Sequence, residues 1–70
     1  MKNLRYRSLQ RTFKQFDDID EIKESFGIPP RKNIYRVASG GELFRLNDEN
    51  ITGELKDNDI IEAVSEFILG

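Results

Sequence analysis

Seventy residues can enclose one compact core, and they leave no room for a second domain or a deep substrate cavity. The chain is 37% hydrophobic and 34% charged, as in an ordinary folded protein, and its formal net charge is −2. It contains neither cysteine nor histidine, which excludes disulfides, thiolate metal ligands and the commonest general base near neutral pH. We therefore predict one domain over residues 1–70 that is not an enzyme and binds no metal or cofactor.

Charge is distributed unevenly along the chain. Residues 1–16 contain five basic and no acidic side chains, whereas residues 42–66 contain eight acidic and two basic ones. A basic segment can bind nucleic acid, but a pI near 5.0 argues against phosphate binding. Pairing of Arg5 and Arg7 with Glu62 across neighbouring strands explains the asymmetry more simply. We therefore expect no nucleic-acid partner.

The N-terminal basic residues are not followed by an apolar run. The sequence therefore predicts neither a signal peptide nor a membrane span. The lack of cysteine is typical of proteins in a reducing compartment, so we expect a cytoplasmic protein with no membrane partner.

The first predicted element is a strand over residues 4–7, in which Leu4 and Tyr6 alternate with two arginines. A break at residues 8–10 separates it from a second extended segment over residues 11–16. Two extended segments with so short a connection predict an N-terminal β-hairpin.

A short helix is predicted over residues 19–26. Asp18 can accept hydrogen bonds from the amides of the first turn, and Gly27 followed by two prolines ends the helix. The apolar stripe of this helix consists of Ile19, Ile22 and Phe26. Because two helical turns are not stable alone, this stripe must pack on a sheet.

The second half of the chain is predicted to contain three more strands. They cover residues 33–37, 42–46 and 60 to about 67, and the last two are separated by a turn over residues 51–55 and a tight turn over residues 56–59. The order is therefore hairpin, helix, strand, short strand and strand, which predicts an α+β fold.

This order of elements is that of the β-grasp topology, and Gly27-Ile28-Pro29-Pro30 resembles the segment of ubiquitin that ends its helix and leads into its third strand. Counted on from the prolines, Tyr35 matches a core position of that strand and Leu43 the core leucine of the short fourth strand. Counted back from the C-terminus, Ile61 and Ala63 match two inward leucines. The resemblance implies a ubiquitin-like β-grasp fold, a ββαββ sheet with one helix packed across it.

The resemblance also implies a function for residues 65–70, which are expected to form an extended tail. Ubiquitin-like modifiers act through a C-terminal glycine carboxylate, which an activating enzyme adenylates and then converts to a thioester. By this likeness Gly70 is the conjugation site, and Ile68 and Leu69 contact the activating enzyme. Leu69 stands where these modifiers usually have glycine. We therefore expect a divergent, bacterial system with its own adenylating enzyme, conjugating enzyme, peptidase and target protein.

Two alternatives stay open. The segment over residues 55–59 resembles the Leu-Lys-Asp-Gly-Asp turn of the sulfur carriers in molybdopterin and thiamin synthesis, whose terminal glycine becomes a thiocarboxylate. Arg36-Val37 and Leu43-Phe44 resemble positions in the small ubiquitin-like subunit of bacterial aromatic monooxygenases. That second likeness implies a non-covalent adaptor.

Ubiquitin binds its partners through an apolar patch on the outer sheet face, and Val64 matches one member of that patch. Arg36 stands in place of the central isoleucine and Glu62 in place of the histidine, so standard ubiquitin receptors should not bind this chain. The predicted partner-binding face consists of Ile34, Arg36, Ile60, Glu62 and Val64. Aliphatic and arginine side chains are common at interfaces, although single exposed aliphatics on a strand are also normal.

Overall fold

The structure is a computed structural model that describes residues 1–65. Its elements in chain order are β1 (Lys2–Tyr6), β2 (Leu9–Phe13), α1 (Ile19–Phe26), β3 (Lys32–Val37), β4 (Leu43–Arg45), α2 (Ile51–Glu54) and β5 (Asp59–Ser65). The strands form one mixed sheet in the order β2-β1-β5-β3-β4. The fold is therefore α+β, as the sequence predicts.

Strands from opposite ends of the chain meet at the centre of the sheet. β1 runs parallel to β5, with Tyr6 opposite Ile61, and the other three strand pairs are antiparallel. The helix α1 lies between the hairpin and β3 in the chain, and its apolar stripe is buried. This arrangement is compatible with the expected β-grasp fold.

The hairpin is tighter than predicted. Tyr6 pairs directly with Leu9, so the connection contains only Arg7 and Ser8, and Arg7 has a φ of 57°. β2 ends at Phe13 instead of extending through residue 16. Because Tyr6 pairs with Leu9, the predicted break of three residues is a turn of two.

Both ends of α1 form as predicted. Asp18 Oδ1 accepts hydrogen bonds from the amides of Asp20 at 2.9 Å and Glu21 at 3.3 Å. At the other end Gly27 has a φ of 70°, which a glycine adopts without strain, and its amide donates to the Glu24 carbonyl at 3.1 Å. The helix is thus fixed at both ends by local hydrogen bonds.

The inner and outer faces of β3 are the reverse of the prediction. Ile34 is 0% exposed and lies opposite Ala63, whereas Tyr35 is half-buried and lies opposite Glu62. Opposite residues on neighbouring strands point to the same face, so Ile34 belongs to the core and Tyr35 to the outer surface. Each face of β3 carries an apolar side chain, and alternation alone could not choose between the two phases.

The position expected for Leu43 in the core is taken by Leu46. Leu46 is buried and its amide donates to the Ile34 carbonyl at 2.9 Å, whereas Leu43 is exposed at the sheet edge. The prediction for Leu43 was therefore wrong. Leu43 was counted from the same prolines as Tyr35, and in the observed register it pairs with Val37 on the outer face that also carries Tyr35.

One apolar core fills the space between the sheet and the helices. Its fully buried side chains are Leu4, Ile22, Ile34, Ile51, Leu55 and Ile61. Two of them come from the segment predicted as a turn, which forms the single helical turn α2 and its C-terminal neighbour. Neither helix in the described part of the chain is long and apolar enough to cross a membrane.

Candidate functional site

The face of the sheet opposite α1 carries a group of apolar side chains that remain accessible to solvent. We name this group the outer patch, and it consists of Tyr35, Val37, Leu43, Ile60 and Val64. Three strands contribute to it, namely β3, β4 and β5. Neighbouring strands lie about 4.8 Å apart, so side chains from all three are close enough for one ligand to contact.

The most exposed part of the outer patch is a row across the sheet. Val37 lies opposite Leu43, and one further step of the β3–β5 register places Val37 beside Ile60. Ile60 is 46% exposed and Leu43 is 45% exposed. This row therefore offers aliphatic surface that no other part of residues 1–65 covers, and Arg5 opposite Ile60 borders it.

A second row of the outer face is polar at both ends. Tyr35 lies between Glu62 on β5 and Arg45 on β4. Glu62 Oε1 accepts a hydrogen bond from the Ala63 amide at 3.0 Å and lies 3.8 Å from Arg7 Nη2. Of the predicted pairing of Arg5 and Arg7 with Glu62, the Arg7 contact is confirmed, whereas Arg5 lies opposite Ile60. An exposed pair of this kind stabilises a fold by only about 0 to 1 kcal/mol.

Three residues of the predicted partner-binding face lie where they were expected. Ile60, Glu62 and Val64 share the outer face of β5. Ile34 does not belong to this face, because it lies on the opposite side of the sheet and is fully buried. That part of the prediction was wrong for the reason given above, the reversed phase of β3.

Arg36 was also assigned to the wrong face. Its guanidinium carbon lies 4.7 Å from the centre of the Phe44 ring. Its Nε and Nη2 donate to Glu54 Oε2 at 3.3 and 3.2 Å. A core-facing arginine is tolerated here because it lies near the end of β3, where the long side chain can reach the edge of the sheet and an acidic partner.

The outer patch contains three residues that the sequence analysis did not assign to it. Tyr35 and Leu43 were assigned to the core, and Val37 shared the face given to Tyr35. The signal that could have placed them is the chemistry of an adjacent pair, because Ile34 has a purely aliphatic side chain whereas Tyr35 carries a hydroxyl. A core position accepts such a side chain more readily than the hydroxyl of Tyr35.

The acidic pair near the last turn has a structural role. Asp57 Oδ1 accepts a hydrogen bond from the Asn3 amide at 2.7 Å, and Asp59 Oδ2 accepts one from the Lys56 amide at 2.8 Å. The Asp57 contact fastens the tight turn to the start of β1, and the Asp59 contact closes the turn itself. Within residues 1–65 no group of three potential metal-ligating side chains comes together.

Ser65, the first residue of the expected tail, belongs to β5 instead. Ser65 is the last residue of β5 and lies opposite Lys32 at the start of β3. Gly70, with Ile68 and Leu69, lies outside the described residues.

Comparisons of the chain with protein-family models, curated proteins and solved structures found no match.

Proposed function

We propose that this chain is a ubiquitin-like protein modifier with a β-grasp fold. In this proposal a partner enzyme activates the carboxylate of Gly70, and the chain is then joined to an amine of a target protein. The observation that carries the proposal is the parallel pairing of β1 with β5 at the centre of the order β2-β1-β5-β3-β4.

The sheet order supports the β-grasp part of the proposal in a specific way. A β-hairpin followed by a helix and three strands could form many sheets, and placing the first and last strands side by side in parallel is only one of them. In the order observed here, every residue of the five strands pairs with a residue of a neighbouring strand. This is the arrangement that the likeness to ubiquitin implies.

The position of β5 supports the functional part. β5 supplies Ile60 and Val64 to the outer patch, and the chain continues from Ser65 directly into the expected tail. One strand therefore connects the outer patch, which a partner enzyme can contact, to the tail on which that enzyme acts. Recognition of the folded body and reaction at the tail can then be carried out by the same enzyme.

The chemistry needs ATP and a partner enzyme. The Gly70 carboxylate attacks the α-phosphate of ATP, which forms an acyl adenylate and releases pyrophosphate. A cysteine thiolate of the enzyme then displaces AMP to give a thioester, and a target amine displaces the thiol to give an amide. Glycine suits this role because it has no Cβ that would hinder the attacking group.

The direct test is adenylation by the cognate activating enzyme. The chain ending in Gly70 is incubated with this enzyme, ATP and labelled pyrophosphate, and exchange of the label into ATP is measured. We expect exchange with the full sequence and loss of exchange when Gly70 is deleted. A matched control is Gly53→Ala, which changes a glycine in α2 whose Cβ position meets open space. Equal exchange by the deletion variant contradicts the proposal.

A second candidate function is that of a non-covalent adaptor, and the outer patch favours it. Ile60 and Leu43 keep nearly half of their surface exposed on a face that has no covering element among the described residues. Aliphatic side chains in the centre of a surface with arginines at its border are typical of protein interfaces.

Deletion of residues 69–70 separates the two functions. An adaptor keeps its partner after this deletion and loses it when Ile60 is replaced by aspartate. A modifier loses its covalent adduct after the same deletion. The experiment compares both variants in one pull-down, analysed with and without denaturant.

A further inference from the structure

The two edges of the sheet differ in what they expose. The β2 edge carries polar side chains at Gln10 to Thr12, and Arg11 crosses from it to donate from Nε to the Ser25 carbonyl at 3.0 Å. The β4 edge carries Leu43 on the outer face and Phe44 on the inner face, and Phe44 is 41% exposed. Apolar side chains on both faces at Leu43 and Phe44 favour pairing with another strand, and the charged side chains stand only at the two flanking positions, Glu42 and Arg45.

The hydrogen bonds between β3 and β4 show which backbone groups of β4 face outward. The Ala38 amide donates to the Glu42 carbonyl at 2.8 Å, and the Leu46 amide donates to Ile34 at 2.9 Å. Hydrogen-bonded pairs alternate with non-bonded pairs along an antiparallel ladder. The amide and carbonyl of Leu43 therefore point away from β3, toward the open edge.

Arg45 is the next residue of β4 whose backbone groups point away from β3, and another segment of the chain partly covers it. Asn50 Nδ2 donates to the Arg45 carbonyl at 3.0 Å. Within residues 1–65, Leu43 is therefore the β4 position whose outward amide and carbonyl are both available. Beyond Leu43 on the other side, Gly41 has a φ of 86° and leaves the extended conformation. The open edge is thus centred on one residue, with a boundary on each side.

We infer that β4 pairs antiparallel with β4 of a second copy of this chain, about a two-fold axis at Leu43. In this register each Leu43 amide donates to the Leu43 carbonyl of the other copy, so both groups are satisfied by the same residue. The two Leu43 side chains meet on the outer face. Residues on either side of the axis pair crosswise, which places Glu42 of the second copy opposite Phe44.

Charge on the inner face is complementary in this register. Phe44 lies opposite Arg36, whose guanidinium stacks on the ring, so the row across the interface reads Arg36, Phe44 and then Glu42 of the second copy. Arg36 uses Nε and Nη2 on Glu54, and within residues 1–65 its Nη1 has no hydrogen-bond partner. An arginine can bind a second carboxylate with its remaining donors, and the two-fold axis creates this contact twice.

The interface is small, because each copy contributes one strand of three residues. We therefore expect a weak dimer, with a dissociation constant on the order of 0.1 mM. The pairing joins the two outer faces into one surface and brings the two outer patches side by side at Leu43. It does not depend on the proposed conjugation, since it involves neither the tail nor an activating enzyme.

The decisive experiment mixes two charge-reversed variants. Glu42→Arg and Arg36→Glu each place like charges together in both contacts of their own dimer, so sedimentation equilibrium should show association weakened at least tenfold. An equimolar mixture restores opposite charges in both contacts and should associate as strongly as the original chain. A mixture that associates no better than its separate components overturns the inference, and thermal melting establishes that each variant is folded.

A second pair of variants tests the position of the axis. Leu43→Arg places two cations directly opposite each other and should abolish dimerisation. The matched control is Leu9→Arg, a leucine of the β2 edge that is 38% exposed, and it should leave the dimer unchanged. The inference is wrong if the original chain stays monomeric up to about 1 mM, a concentration at which even a contact of −4 kcal/mol is half formed. It is equally wrong if the Leu9 variant is the one that loses the dimer.

Discussion

Ile34 and Tyr35 are adjacent residues with opposite environments. The Ile34 side chain contacts only the core, whereas Tyr35 lies on the outer face between Glu62 and Arg45. Burial of the aliphatic residue stabilises the fold without removing a hydroxyl group from water. The identity of the buried residue decides the phase of β3 and, with it, the composition of the candidate binding face.

Truncation of Ile34 and of the exposed Ile60 tests the phase of β3 directly. Ile34→Ala should lower the free energy of unfolding by about 2 to 5 kcal/mol, because it opens a cavity in the core. Ile60→Ala removes the same atoms from an exposed outer position and should lower it by no more than about 0.5 kcal/mol. Urea denaturation of both variants measures the difference. Similar losses for the two variants would mean that Ile34 is not the core residue of β3.

The strands at the two ends of the sequence were easier to predict than β3. In β1, the apolar residues Leu4 and Tyr6 alternate with arginine, and only one phase buries apolar surface. In β5, Ile61 and Ala63 were assigned to the core through the likeness to ubiquitin, and both are buried. β3 has apolar residues at both phases, so alternation alone does not determine which of its faces is buried.

Local signals determine α1 as an element. A residue of the right type stands at each end, and the observed helix has the predicted bounds. By contrast, the helical turn α2 has no side-chain cap hydrogen bond, and it exists because Ile51 and Leu55 are drawn into the core. Tertiary packing of this kind leaves little trace in the local sequence, which is why the segment was predicted only as a turn.

The cap at Asp18 gives a prediction for α1. Asp18→Ala should lower the free energy of unfolding by about 1 kcal/mol, because two first-turn amides lose their acceptor. Asp17→Ala is the matched control. This substitution removes the same charge next to the helix, and Asp17 accepts neither of these hydrogen bonds. Thermal denaturation of both variants measures the effect. Equal destabilisation would indicate that charge alone, and not the cap, acts at this position.

The tight turn before β5 gives a second prediction at this scale. Asp57→Ala removes the acceptor of the Asn3 amide and should lower the free energy of unfolding by about 1 to 2 kcal/mol. Asn58→Gly is the control, because Asn58 has a φ of 70° that glycine adopts readily. We expect faster amide exchange at Asn3 in the Asp57 variant alone. Unchanged exchange there would show that the turn is not fastened to β1 through this carboxylate.

At the scale of the whole molecule, the sheet order could not be derived from periodicity. Alternation predicted the strands but not which of them are neighbours, and the pairing of β1 with β5 came from the likeness to ubiquitin. One observation in the sequence pointed the same way, the opposite charges of Arg7 and Glu62, which lie close together in the structure. The binding face depends on this pairing and on the phase of β3, so only Ile60, Glu62 and Val64 could be placed from the sequence.

The outer patch should control binding to a partner protein. Ile60→Asp places a charge at an exposed position of this row and should weaken the complex at least tenfold, because the carboxylate loses water without gaining a partner. Leu9→Asp introduces the same charge at an exposed leucine outside the patch and should leave affinity unchanged. Calorimetric titration with the partner measures both. Comparable losses in the two variants would exclude the outer patch as the binding surface.

The central claim is that Gly70 becomes covalently linked to other proteins. The most direct measurement is mass spectrometry of proteins that remain attached to the chain in denaturant after digestion with a protease specific for glutamate. Cleavage after Glu66 leaves the tetrapeptide Phe-Ile-Leu-Gly on each modified amine. The account predicts this branched remnant on target lysines. Recovery of the chain with a free Gly70 carboxylate, together with partners that are all released by denaturant, would contradict it.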